Sequence, residues 1–148
     1  MSLKERITSD MTAAMKAKET ARLSTLRMVK AVVQNREIEK GGELTDEELT
    51  KALQSLVKQR RDSVEQYEQA GRAELAEKER AEEQVLERYL PKQLADDELA
   101  ELVRQALVGI EAGNRSAMGQ AMKAAQAAVA GRAEGGRVAA EVRSQLGL

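Results

Sequence analysis

The chain has 148 residues, long enough for one ordinary domain or two small ones to bury a core without covalent staples. Hydrophobic residues make up 42% and charged residues 33%, but aromatics only 1%, with neither Phe nor Trp. A core of Leu, Val, Ile, Met and Ala predicts an all-α fold and excludes a β-sandwich rich in aromatics. There is no Cys and no His, which removes disulfides, thiolate ligands, the cysteine nucleophile and the usual neutral-pH general base. Only carboxylate, lysine or tyrosine chemistry is left, and no cofactor or metal is expected. The first residues, MSLKERITSDM, carry charge from the fourth position, and no apolar run approaches the ~18 residues that span a bilayer, so a cytoplasmic protein without a membrane segment is expected. The net charge of −1 is unevenly spread: +4 over residues 1–40, −8 over 41–112 and +3 over 113–148.

Ser2 with Glu5 three positions on forms a capping box, followed by Leu3, Ile7, Met11, Ala14 and Met15 at helical spacing, which predicts a first helix to about residue 17. After a break near Lys18, a second helix carries Leu26, Val29, Val32 and Val33 on one side and Arg27, Lys30 and Gln34 on the other, and stops at Gly41 and Gly42. Thr45 with Glu48 is a second capping box, with Leu44 and Leu49 as a hydrophobic staple, so a third helix runs to about Ala70. Gly71 turns the chain into a fourth helix, about Ala73 to Leu90, ended by Pro91, the only proline. Two long helices joined by so short a turn form an antiparallel hairpin. Shorter helices follow, one carrying Leu99, Leu102, Val103, Leu107 and Ile110, the next Met118, Met122, Ala125 and Val129, the last Val138, Val142 and Leu146. The expected organisation is an N-terminal helical-hairpin domain over residues 1–91 and a small C-terminal three-helix domain over 92–148.

Several charges fall on apolar stripes. Arg60 lies among Leu49, Leu53, Leu56, Val64 and Tyr67, while Glu79 and Glu82 share a stripe with Leu75, Leu86 and Tyr89. Folding the hairpin about Gly71 sets Arg60 opposite Glu82 and Val64 near Glu79, which predicts a partly buried ion pair that fixes register. The alternative is that Arg60, with Lys58 and Arg61, faces a groove for an anionic partner. The adjacent carboxylates Glu82 and Glu83, or Asp96 and Asp97, diverge by about 100° on a helix and lack a Ser, His or Cys partner, so they do not form a catalytic pair.

In the last third the cations are Arg115, Lys123, Arg132, Arg137 and Arg143. Arg132 and Arg137 bracket the glycine turn GRAEGGR at 131–137, where the free N–H groups opening the final helix add to phosphate attraction. No aromatic residue lies there to stack on bases, which leaves recognition of nucleic-acid backbone or shape.

Taken in order, RLSTLRMVKAVVQNREIEKG at 22–41, LVKQRRDSVEQYEQAGRAELAEKERAE at 56–82, YLPKQL at 89–94, MGQAMK at 118–123 and GRAEGGRV at 131–138 resemble the YqeY-like, or GatB/YqeY-domain, proteins across essentially the whole chain. The resemblance implies a two-domain helical protein whose C-terminal part is similar to the tail domain of the B subunit of the tRNA-dependent amidotransferase. That enzyme converts misacylated Glu-tRNA or Asp-tRNA to the amide form with glutamine as donor, and the tail domain contacts tRNA. By analogy Lys123, Arg132 and Arg137 face RNA. The kinase-like cradle domain of that subunit has no counterpart here, so the family's carbon–nitrogen ligase label goes with the shared tail rather than with an activity of this chain. Two positions depart from the pattern: Glu134 stands where the family often has Asp, a better N-cap, and the stretch after Lys123 is unusually rich in Ala. The expected function is a non-catalytic tRNA-binding or amidotransferase-associated accessory protein, with tRNA and a protein of the aminoacyl-tRNA or translation machinery as partners. The alternative is a protein–protein adaptor acting through the acidic hairpin.

Overall fold

A computed structural model describes residues 1–148 and is helical throughout, with no strand: α1 (Leu3–Lys16), α2 (Thr20–Lys40), α3 (Asp46–Gln69), α4 (Ala73–Glu87), α5 (Asp96–Ala106), α6 (Met118–Val129) and α7 (Gly135–Leu146), with one 3₁₀ turn at Arg115–Ala117. The chain is all-α. It divides into two compact units, Met1–Leu90 and Pro91–Leu148, each with its own core.

Local signals set most of the boundaries. Ser2 Oγ accepts from the Glu5 N–H at 3.2 Å while Glu5 accepts from the Ser2 N–H at 3.3 Å, and Thr45 with Glu48 repeats the reciprocal pair at 3.1 Å in both directions. Each box satisfies two of the N–H groups that a helix start leaves without intrahelical partners. At the other end of α2, Gly41 takes φ 78°, and its N–H closes on the Glu37 carbonyl. The α1–α2 turn reaches the same left-handed geometry without glycine, at Lys18 with φ 58°.

In the N-terminal unit, Ile7 of α1, Leu26, Val29 and Val33 of α2, Leu49, Leu53, Leu56 and Val57 of α3 and Leu86 of α4 form one buried cluster closed by Tyr89. The α3–α4 hairpin turns at Gly71, φ 72°, and its two helices pack along their length. The fourth helix is shorter than the periodicity implies, because it ends at Glu87 and not at Leu90. The residue before a proline disfavours helical geometry, and the released Tyr89 turns inward, where its hydroxyl donates to Asp10 Oδ2 at 2.6 Å. Arg6 lies over the same ring, 4.9 Å from its centroid, and donates to the Arg88 carbonyl at 3.0 Å. Burial, then the Asp10 carboxylate, pushes the Tyr89 hydroxyl up to about 12.

The C-terminal unit buries Leu99 and Val103 of α5 with Leu94 and Leu107 at its flanks, Ala121, Ala125 and Val129 of α6, and Val138, Val142 and Leu146 of α7. The fifth helix also stops early, so Ile110 packs on the core from the turn beyond it. Of the Ala-rich stretch after Lys123, Ala125 is buried on the inner face of α6 with Ala121 and Val129, while Ala127 and Ala130 are exposed. No helix of the chain is long and apolar enough to cross a membrane.

Candidate nucleic-acid interface

The five C-terminal cations do not form one patch. Helices α6 and α7 run antiparallel, so the α6–α7 corner, bearing Arg132 and Arg137, lies at one end of the pair. At the other end the Gly113 N–H donates to the Leu146 carbonyl at 2.6 Å, which holds the segment carrying Arg115 beside the last turn of α7, one turn from Arg143. About 18 Å, the length of a 12-residue helix, separates these ends.

At the corner both arginines have intramolecular tasks. Arg132 Nε donates to the Val129 carbonyl at 3.1 Å, covering the exposed C-terminal end of α6. One Arg137 Nη donates to the Leu94 carbonyl at 2.9 Å and to Asp96 Oδ1 at 2.9 Å. The Leu94 N–H in turn donates to the Arg132 carbonyl at 2.7 Å. Leu94 and the segment GRAEGGRV are therefore brought together, and Arg132 through its carbonyl and Arg137 through its guanidinium pin the chain entering α5 to the start of α7. Glu134 precedes α7 in extended geometry, φ −65° and ψ 147°, but its side chain makes no cap hydrogen bond.

The remaining three cations are free. Arg115, Lys123 and Arg143 are exposed and hold no ion pair or side-chain hydrogen bond. Lys123 sits about 150° around α6 from its buried Ala121, Ala125 and Val129. Arg143 lies about 120° around α7 from Arg137, on the flank away from α5. The α5 flank is identified by Gln145, whose amide donates to the Ala100 carbonyl at 2.8 Å. Three exposed, unneutralised cations spaced over one small unit suit diffuse contact with phosphates, and residues of this type need no preformed pocket. Sequence alone drew attention to the glycine turn; nothing local signalled that its arginines are held by carbonyls up to 43 positions away.

In the N-terminal unit the structure brings Arg60 between the two glutamates. Its Nε lies 3.0 Å from Glu82 Oε2 and 3.6 Å from Glu79 Oε2, with all three side chains less than a quarter exposed. The contact is one of charge rather than a well-aligned hydrogen bond, since both Arg60 Nε and Glu79 Oε2 are buried without a hydrogen-bond partner. A second guanidinium nitrogen reaches Met28 Sδ of α2 at 3.4 Å. Next along the hairpin, Arg61 pairs with Glu83 at 2.5 Å and Glu87 at 2.9 Å. No group of three or more acidic side chains converges as a metal site.

An all-helical chain of two small units, with free cations on the second, defines the class. The sequence pattern of the Yqey-like protein family matches residues 4–146. The chain belongs to that family. It is also similar to fungal proteins named altered inheritance of mitochondria protein 41, mitochondrial. The one from Pyrenophora tritici-repentis is 34% identical over 131 residues, covering 86% of this chain and 71% of that protein. The one from Clavispora lusitaniae is 35% identical over 105 residues, covering 70% of this chain and 61% of its own length.

Proposed function

We propose that this protein is a non-catalytic accessory factor that binds tRNA, in association with the machinery of tRNA-dependent amidation, through the exposed cations of its C-terminal unit. The observation that carries the reading is the trio Arg115, Lys123 and Arg143, exposed and free of internal partners in the unit that resembles the amidotransferase tail. Arg132 and Arg137 contribute charge to the same unit while serving its fold. The reading requires a compartment that contains aminoacyl-tRNA; we take this to be the cytoplasm, with a mitochondrial site, as in the names of the fungal relatives, as the alternative.

The test is equilibrium binding of total tRNA to the purified protein at low salt, comparing wild type with an Arg115→Ala, Lys123→Ala, Arg143→Ala variant. Micromolar-order affinity in the wild type, reduced at least tenfold in the variant with helicity retained, is the expected result. Arg132→Ala and Arg137→Ala make poor probes, because loss of binding in them would mix charge with unfolding of the corner. An adaptor role for the acidic hairpin is the second reading, supported by the excess of five negative charges over residues 46–87. It predicts capture of a protein partner that survives nuclease treatment.

A further inference from the structure

A small cavity of about 110 Å³ opens between α1 and α2, floored by Ile7, Val33 and Leu49. Its rims differ in chemistry: Met11 and Thr8 stand on the α1 side, Lys30 and Gln34 on the α2 side. The two helices run antiparallel, and an ion pair closes one end, Lys4 Nζ lying 3.0 Å from Glu37. Both charges there are consumed, because the Glu37 carboxylate also accepts from the Leu44 N–H at 3.0 Å. The Leu44 N–H first, and then the Lys4 ammonium, holds Glu37 below the ordinary carboxylate range.

From the closed end the rims extend at helical spacing. Met15 continues the Met11 row four positions on and is 53% exposed, while Arg27 continues the Lys30 row three positions back. Neither Arg27 nor Lys30 has an internal partner, and both are exposed. Across residues 11–36 six cations face a single acid, Glu19, which Arg22 holds at 3.2 Å. The groove thus has an apolar floor, one rim of adaptable methionine and one rim of unneutralised cation.

We propose that this α1–α2 groove docks an acidic amphipathic segment of a partner protein, with one aliphatic side chain in the cavity and carboxylates on Lys30 and Arg27. Size and charge together select the occupant. A dry cavity of about 150 Å³ accommodates a benzene ring, so this one takes a single Leu or Ile side chain. Nucleic acid presents its charge on a backbone that carries no flexible aliphatic side chain, whereas an amphipathic helix offers an apolar anchor and flanking carboxylates at i, i+3 and i+4. Methionine on the rim lets the groove adjust to the anchor. The assignment is independent of tRNA binding by the C-terminal unit.

The probe is a synthetic 14-residue helical peptide with Leu at i, i+4 and i+7 and Glu at the flanking positions, titrated into the full chain with methionine methyl groups labelled for NMR. Saturable shifts are expected at Met11 and Met15, with at least tenfold weaker binding for Lys30→Glu, a solvent-facing change that leaves the fold intact. A control peptide with Ala for Leu is expected not to bind. The proposal is overturned if the peptide shifts neither methionine, if a peptide with Lys for Glu binds equally well, or if tRNA perturbs the same methyl groups and displaces the peptide.

Discussion

Lys18 occupies left-handed backbone geometry that costs an L-residue about 1–2 kcal/mol and that glycine adopts freely. Lys18→Gly is therefore expected to stabilise the N-terminal unit by roughly 0.5–1 kcal/mol after the greater flexibility of unfolded glycine is offset, raising Tm by about 2 °C in a thermal melt. A lower Tm would show that the lysine side chain contributes something the turn needs. Tyr89 makes a second prediction at this scale. Its folded-state value near 12 lies above the ordinary 10, so its protonated form stabilises the fold fully below pH 10 and that contribution is lost as the pH rises towards 12. Urea midpoints measured from pH 9 to 12 are expected to fall in the wild type and to fall less in Tyr89→Phe. At the acid end, Glu37 and Glu48 are held below their ordinary value of 4.5, Glu37 mainly by the Leu44 N–H and Glu48 mainly by Lys40. Their stabilising effect is present above that value and lost on further acidification. With no His to titrate in between, stability is expected to be flat from about pH 6 to 9.

Among the elements, the α3–α4 hairpin poses the clearest energetic question, because Arg60 is partly buried between Glu79 and Glu82. Arg60→Ala leaves two carboxylates facing each other and is expected to cost about 2 kcal/mol in urea unfolding, whereas Arg60→Met with Glu79→Gln and Glu82→Leu, which leaves no unpaired charge behind, returns close to wild type. A neutral Arg60→Ala would remove this pair as the determinant of register. Helices and caps were legible in the sequence because their signals are local: Ser2 with Glu5, Thr45 with Glu48, and apolar residues every three or four positions. The early end of α4 was not, because periodicity continued to Leu90 while the reach of Pro91 extends back to the carbonyl four positions before it, at Glu87. The same holds at the candidate site. Composition pointed to the cations, but which of them are free depends on carbonyl positions that exist only after folding. Arg137 illustrates this, and Arg137→Ala is expected to destabilise the C-terminal unit by about 1–2 kcal/mol through the lost bond to Leu94.

At the scale of the whole molecule, the family spans nearly the entire chain, and the charge of its segments is sorted along that length. Free cations in the C-terminal unit, and a groove with a cationic rim and an acidic hairpin in the N-terminal unit, give three chemically distinct surfaces. An accessory factor that holds an RNA and a protein at once needs at least two. The most direct measurement is the salt dependence of tRNA affinity for wild type and for the Arg115→Ala, Lys123→Ala, Arg143→Ala variant. Log affinity is expected to fall linearly with log salt, with a slope shallower by about 2–3 in the variant, one phosphate contact for each cation removed. A wild-type protein that does not bind tRNA at low salt, or a slope unchanged by the three substitutions, would contradict tRNA binding through these cations.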